Sequence, residues 1–129
     1  MVTTFARLLA EAGYELTAIP RVTFTEQPTS RGRSIWVPDH LPRLDVMHAF
    51  ARVQLPLHLN WSAPERVFAL AERDDRARLY EIVLQEGRPA DLLEYIDGAL
   101  LIDLWGDLVL PRMVRSAWTP VIRASRAVA

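Results

Sequence analysis

Apolar residues recur along this chain with two different periods, and the prevailing period changes near residue 60. Phe5, Leu8, Leu9 and Ala12 follow the three- and four-residue spacing of a short amphipathic helix. From residue 16 to residue 59 apolar and polar positions mostly alternate, which is typical of strands with one buried face. Beyond residue 60 the helical spacing returns. We therefore predict an α+β fold with a short N-terminal helix, a small antiparallel sheet with edge strands, and a mainly helical C-terminal half.

Three strands are predicted in the first half of the chain. Residues 16–25 are predicted to form a strand broken at Pro20. A predicted loop over Glu26–Arg33 joins this strand as a hairpin to Ser34–Pro38. Val53–Leu59 alternates strictly and is the clearest strand pattern in the chain. Because proline has no N–H to donate to a ladder, the two strands with internal prolines are expected at sheet edges.

Helix start and stop residues predict the remaining helices. Ser62-Ala63-Pro64-Glu65 fits a capping box with proline in the first turn, so it predicts a helix that carries Val67, Phe68, Leu70 and Ala71. In the helix that follows, Arg78, Glu81 and Gln85 are expected to face solvent. The other predicted helices are a short one capped by Asp45 that carries Val46, Met47, Phe50 and Ala51, one from Asp74 or Asp75 to Gly87, one from Pro89 to Asp97, one from Ala99 to Leu108, and one from Pro111 with a kink or restart near Thr119 and Pro120.

The Asp97-Gly98 pair is predicted to divide one helical stretch into two helices. A single straight helix over residues 89–108 would place Asp103 and Asp107 among apolar residues. A new helix that begins at Ala99 instead gathers Asp103 and Asp107 on one narrow side, opposite the leucines. The two aspartates are therefore expected to face solvent or a partner.

Composition limits both the architecture and the chemistry. With 129 residues, half of them apolar, we take residues 1–129 as a single domain with a helix-and-sheet subregion, 1–60, and a helical subregion, 61–129. The sequence has no cysteine, which excludes disulfides, thiolate catalysis and cysteine-ligated zinc. No leader peptide and no apolar run of about 18 residues is present, so we expect a cytoplasmic protein with no membrane partner.

Charge is unevenly distributed along the chain. All 15 basic residues are arginine; residues 1–60 hold 6 arginines and 5 acids, residues 61–110 hold 5 and 11, and residues 111–129 hold 4 and none. The acidic middle and the basic C-terminal segment either fold against each other or face different partners. On the last helix Arg112, Arg115, Arg123 and Arg126 share one side, which is either a solvated face or a surface for phosphate or an acidic partner.

Sequence motifs predict no catalytic, metal or cofactor site. Asp103 and Asp107 have the one-turn spacing of a metal-binding or acid-base pair, but no third ligand lies at helical spacing, so a solvated or partner-facing stripe is favoured. A serine-histidine-aspartate set built on Ser62 and His58 has no GxSxG elbow to support it. His40, His48 and His58 follow no known ligand spacing, and no glycine-rich phosphate-binding pattern is present.

Several segments, spread over nearly the whole chain, carry a resemblance to a known family. They are LLAEAGYEL, PRVTF, RGRSIWVPDHLPRL, VQLPLHLNWS, RARLYEIVLQEG, DLLEYIDGALLIDLWGDLVLPR and the W-x-P at residues 118–120. In this order they resemble actinobacterial helix-turn-helix regulators of the Xre type. The genes of those proteins often neighbour a nucleotidyltransferase toxin of the AbiEii kind, so the resemblance implies an antitoxin. It implies no catalytic residues.

The DNA-binding module of that family is expected to be missing. In the relatives, the helix-turn-helix ends in a helix that looks like LLAEAGYEL, and this sequence lacks the roughly 50 to 60 residues that such a module needs before that helix. DNA binding is therefore not carried over from the resemblance. We expect either a natural form without the module or a reading frame whose start lies further upstream.

Two functional hypotheses follow. The first is an antitoxin-like module that is not an enzyme and binds a partner toxin through its acidic helical unit, with five contact residues: Asp91, Glu94, Asp103, Asp107 and Trp105. The second is a transcriptional regulator associated with DNA through Arg112, Arg115, Arg123 and Arg126, which could act as a homodimer formed through exposed Trp118 or Trp105.

Overall fold

The computed structural model describes residues 21–30 and 33–128. The predicted helix at residues 5–12 and the first part of the predicted strand, residues 16–20, lie outside the described residues. Within the described ranges the chain is α+β, with two small antiparallel sheets of two strands each and five helices, most of them in the C-terminal half. The predicted fold class is confirmed.

The first sheet is a β-hairpin, as predicted. Strand β1 (Phe24–Gln27) pairs with β2 (Ile35–Pro38) in the register Phe24↔Pro38 to Gln27↔Ile35. Beyond the strand end, the backbone N–H of Thr23 donates to Asp39 Oδ1 at 2.9 Å. This hydrogen bond, helped by the adjacent His40, holds the pKa of Asp39 below its ordinary value. Residues 26 and 27, predicted as loop, belong to the strand.

The second sheet corrects two predictions. Strand β3 (Arg52–Gln54) pairs with β4 (Val67–Ala69) in the register Val53↔Phe68. The strand predicted to reach residue 59 therefore ends at residue 54, and a turn follows in which the N–H of Leu59 donates to the carbonyl of Pro56 at 2.9 Å. The helix predicted from the capping box is wrong, since its central residues form β4.

Packing around Phe68 explains why a strand replaces the predicted helix. Phe68 is fully buried in register with Val53, and the guanidinium of Arg66 lies 4.5 Å from the centroid of its ring. The N–H of Ala69 donates to Asp75 Oδ2 at 2.9 Å, which ties the strand to the next helix. The pairing also crosses the boundary predicted at residue 60, so the sheet draws on both predicted subregions.

The helices follow the predicted start and stop residues closely. They are α1 (Val46–Ala49), capped by Asp45, α2 (Arg73–Glu86), α3 (Pro89–Tyr95), α4 (Gly98–Leu104), which a 3₁₀ turn (Trp105–Asp107) extends, and α5 (Arg112–Val128). Helix α5 runs through Pro120 without the predicted restart. None of the helices in the described part of the chain is long and apolar enough to cross a membrane.

The core lies between β2, α2, α4 and α5. Its largest fully buried side chains are Trp118 of α5, Tyr80 of α2 and Phe68. Burial raises the pKa of the Tyr80 hydroxyl to about 12. Glu81, predicted on the wet face of α2, is instead 9% exposed, and its Oε2 accepts a hydrogen bond from the N–H of Val109 at 2.7 Å. The hydrogen bond from the Val109 N–H thus compensates the Glu81 carboxylate for its burial.

The predicted break between α3 and α4 is confirmed. Asp97 caps α4, its Oδ2 accepting the N–H of Leu100 at 3.1 Å, while its Oδ1 accepts the N–H of Leu44 at 2.9 Å and Nε of Arg43 at 3.0 Å. Burial would raise the pKa of this carboxyl group, but the donors from Leu44, Arg43 and Leu100 together hold it below the ordinary value of 3.8. The carboxylate therefore joins the start of α4 to the segment that follows the hairpin.

Candidate functional sites

Arg73 gathers the two predicted aspartates into one exposed cluster. It lies in the first turn of α2, and its Nη1 donates to Asp103 Oδ2 while its Nη2 donates to Asp107 Oδ2 at 2.7 Å. The hydrogen bonds that Arg73 donates to Asp107 and Asp103 raise the pKa of Arg73. The side chains of Asp103 and Asp107 remain 57% and 73% exposed, as predicted from the helical spacing.

Two further acids flank this cluster. Glu72 and Asp74 are the immediate sequence neighbours of Arg73, and both are exposed. Glu72, Arg73, Asp74, Asp103 and Asp107 together form what we call the acidic surface, in which Asp103 and Asp107, two of the four carboxylates, pair with the Arg73 guanidinium. Its net charge at neutral pH is negative. The sequence pattern did not predict this grouping, because Arg73 lies 30 positions from Asp103.

Three residues predicted to contact a partner have different environments from those expected. Asp91 is 7% exposed, Trp105 is 7% exposed, and Trp118, one of the two tryptophans proposed for a dimer contact, is fully buried. Neither tryptophan is exposed, so the prediction of a dimer contact through an exposed Trp118 or Trp105 is wrong. Of the five predicted contact residues, Glu94, Asp103 and Asp107 remain exposed.

The arginine side of α5 is not uniform. Arg115 is half-buried: its Nη1 donates to the carbonyl of Trp105 at 3.2 Å, its Nη2 donates to the carbonyl of Leu108 at 2.5 Å, and its guanidinium lies 4.8 Å from the centroid of the Trp105 rings. Arg115 therefore closes the C-terminal end of the 3₁₀ turn. Arg112, Arg123 and Arg126 are exposed, and no ion pair is formed by them within the described ranges.

A cleft of about 880 Å³ lies between the hairpin and the α2–α3 junction. The cross-strand pair Glu26↔Trp36 places these two side chains on one face of the hairpin. Ser34, two positions before Trp36, also lines the cleft. The α2–α3 junction supplies Glu86 and Arg88 to the other wall. We call this space the hairpin cleft.

His58 and Asp91 lie together at one end of the hairpin cleft. Nε2 of His58 is 3.1 Å from Asp91 Oδ1, and Asp91 Oδ2 also accepts the backbone N–H of Arg88 at 3.0 Å. The Asp91 side chain is 10% exposed and fixes an imidazole that is itself 57% exposed. An ionised carboxylate can only accept, so Nε2 of His58 carries the proton of this hydrogen bond.

The histidines do not converge on a common site. His40 pairs with Asp39 at 2.9 Å, His48 pairs with Asp45 at 2.8 Å and His58 pairs with Asp91 at 3.1 Å, so each histidine has a different carboxylate partner. In the part of the chain that the structure describes, no group of three or more histidine and acidic side chains has the arrangement of a metal site. The chain matches no protein-family model, no curated protein and no solved structure.

Proposed function

We propose that the protein is an antitoxin-like interaction module that is not an enzyme and neutralises a partner toxin by binding it through the acidic surface. The observation that carries this proposal is the arrangement around Arg73, whose guanidinium pairs with the exposed carboxylates of Asp103 and Asp107 while its exposed sequence neighbours Glu72 and Asp74 add two more negative charges to the same turn. Complementary charge steers association and suppresses wrong partners. The fitting partner presents a basic patch, as toxins that handle nucleotides or RNA do at their active sites.

An exposed apolar residue beside the acidic surface supports protein binding. Val109 follows Asp107 by two positions and is 77% exposed, although its N–H is held by Glu81. Apolar groups next to a charged rim are typical of protein interfaces, where burial supplies affinity and the rim supplies selectivity. The resemblance described above points to a nucleotidyltransferase as the toxin.

Co-expression tests this proposal. We expect the wild-type chain to rescue growth from a nucleotidyltransferase toxin of the AbiEii kind and to copurify with it. The double variant Asp103→Arg with Asp107→Arg should lose both effects, because it reverses the charge of the acidic surface. Glu65→Arg is the matched control, since Glu65 is exposed and lies outside the acidic surface. Absence of rescue and of a complex with the wild-type chain would refute the proposal.

The exposed arginines of α5 support a second candidate, a regulator that contacts DNA backbone phosphates. Arg112, Arg123 and Arg126 are exposed, which favours phosphate contact, whereas Arg115 is occupied by two carbonyl groups. The test is a mobility shift of operator DNA by this chain alone at several salt concentrations. A shift that weakens with salt and is reduced by Arg112→Ala with Arg123→Ala supports this function. No shift at low salt would exclude it.

A further inference from the structure

One of the protein's own arginines lies across the hairpin cleft. Nη1 of Arg33, which follows the hairpin loop, pairs with Glu86 Oε2 at the end of α2. The Arg33 side chain is 64% exposed and that of Glu86 is 34% exposed. Water competes for the exposed Arg33 guanidinium, so a pair of this kind contributes little to stability, whereas the buried Oε2 of Glu86 needs a donor from some other group when Arg33 leaves. The pair is therefore readily exchanged for an equivalent pair with another guanidinium.

The other groups in the hairpin cleft also suit a guanidinium. Trp36 presents an aromatic ring system on the hairpin face, and aromatic faces attract arginine. The Glu26 carboxylate accepts only the Ser34 hydroxyl, at 2.5 Å, among the described residues. A guanidinium carries five N–H donors and no acceptor, so each of these groups is complementary to it.

The charge of the hairpin cleft argues against a multivalent anion. Among the described residues, its lining contains the three carboxylates of Glu26, Glu86 and Asp91 and two guanidiniums, of which Arg33 is already paired with Glu86. A nucleotide or phosphorylated ligand would meet more negative than positive groups in the lining. Arg88, on the wall formed by the α2–α3 junction, makes no ion pair with the described residues and instead suits the backbone carbonyl groups or the carboxylate of a peptide.

We infer that the hairpin cleft binds an arginine side chain carried by an extended peptide segment of a partner protein, and that Arg33 occupies this place when the partner is absent. The incoming guanidinium pairs with Glu86 in place of Arg33 and stacks on Trp36. The internal pair therefore lowers the apparent affinity, because only the fraction of molecules with a free Glu86 binds. This site is separate from the acidic surface, and the inference does not rest on the proposed function.

Peptide binding tests the inference with variants of opposite effect. The probe is a fluorescein-labelled Ala-Ala-Arg-Ala-Ala peptide, followed by anisotropy, with citrulline in place of arginine as the uncharged control. Arg33→Ala should tighten binding by about two- to fivefold, because the peptide no longer has to displace the ion pair between Arg33 and Glu86. Glu86→Gln should weaken it by about fivefold or more, since it removes a charge-assisted hydrogen bond. The citrulline peptide should bind more weakly than the arginine peptide.

Matched controls separate this cleft from other charged surfaces. Arg66→Ala removes an arginine that pairs with Asp75 at 3.6 Å outside the cleft, and it should leave peptide affinity unchanged. Asp103→Asn with Asp107→Asn should likewise have no effect. The inference is overturned if Arg33→Ala does not tighten binding, if Glu86→Gln binds as well as wild type, or if the citrulline peptide binds equally.

Discussion

The backbone N–H of Gly98 donates a hydrogen bond to the carbonyl oxygen of Pro42 at 2.7 Å, so the start of α4 lies directly against the segment that follows the hairpin. A Cβ at residue 98 would lie 2.6 Å from Cβ of Leu41 and 2.9 Å from the Pro42 oxygen. Such distances are far below van der Waals contact. The glycine is required here by this close approach.

Gly98→Ala should therefore lower the free energy of unfolding by about 2–3 kcal/mol, because a methyl group must displace the backbone of residues 41–42. The measurement is urea unfolding followed by circular dichroism. Gly106→Ala is the control, since no atom lies within 4 Å of the Cβ position at residue 106. It should change stability by no more than about 0.5 kcal/mol. Equal effects of the two substitutions would contradict the close-approach explanation.

Asp97 should make stability depend on acid pH. Its pKa in the folded chain is below the ordinary value of 3.8, so above that pH the carboxylate contributes its full stabilisation. As the pH falls below 3.8, the unfolded chain takes up a proton first, and the contribution is lost progressively until the pH passes the lowered pKa. We expect wild-type unfolding free energy to decline over this acid range.

Asp97→Asn isolates that contribution. An asparagine offers one oxygen where the carboxylate accepts from both Leu44 and Leu100, so the variant should lose about 2–4 kcal/mol at pH 7. The difference between wild type and variant, measured by urea unfolding from pH 7 to pH 2.5, should shrink at the acid end. A difference that stays constant across this range would show that the Asp97 charge is not its source.

Arg115 should behave as a structural residue and its neighbour Arg112 as a surface residue. Arg115→Ala removes two donors to the carbonyl groups of Trp105 and Leu108 and uncovers the Trp105 rings, so a loss of about 1–3 kcal/mol is expected. Arg112→Ala should stay within about 0.5 kcal/mol of wild type. Thermal unfolding of both variants checks this, and a similar melting temperature for the two would contradict the assignment.

Hydrophobic periodicity predicted most of the helical half of the fold. The helices ending at Glu86 and beginning at Pro89, and the break at Gly98, follow from spacing and from glycine and proline positions. The largest failures lie in residues 55–69. There the local capping pattern at Ser62 is outweighed by burial of Phe68 against β3, a contact that depends on which strand lies nearby.

The candidate sites were less predictable because they depend on residues distant in sequence. Spacing correctly placed Asp103 and Asp107 outward, but only the fold shows that Arg73 lies between them. The sequence places Asp91 among the exposed acids. In the structure its carboxylate instead accepts the backbone N–H of Arg88 and pairs with His58, which is 33 positions away. Single-sequence periodicity carries no information on such pairings.

We expect the Asp97 carboxylate to couple the opening of two distant segments of the chain. Its hydrogen bond to the N–H of Leu44 connects residues that are 53 positions apart, and the N–H of Gly98 is bound to Pro42 beside it. The segment after the hairpin thus cannot detach without freeing the start of α4. We expect the amide hydrogens of Leu44, Gly98 and Leu100 to exchange with solvent deuterium together, at the rate set by global unfolding.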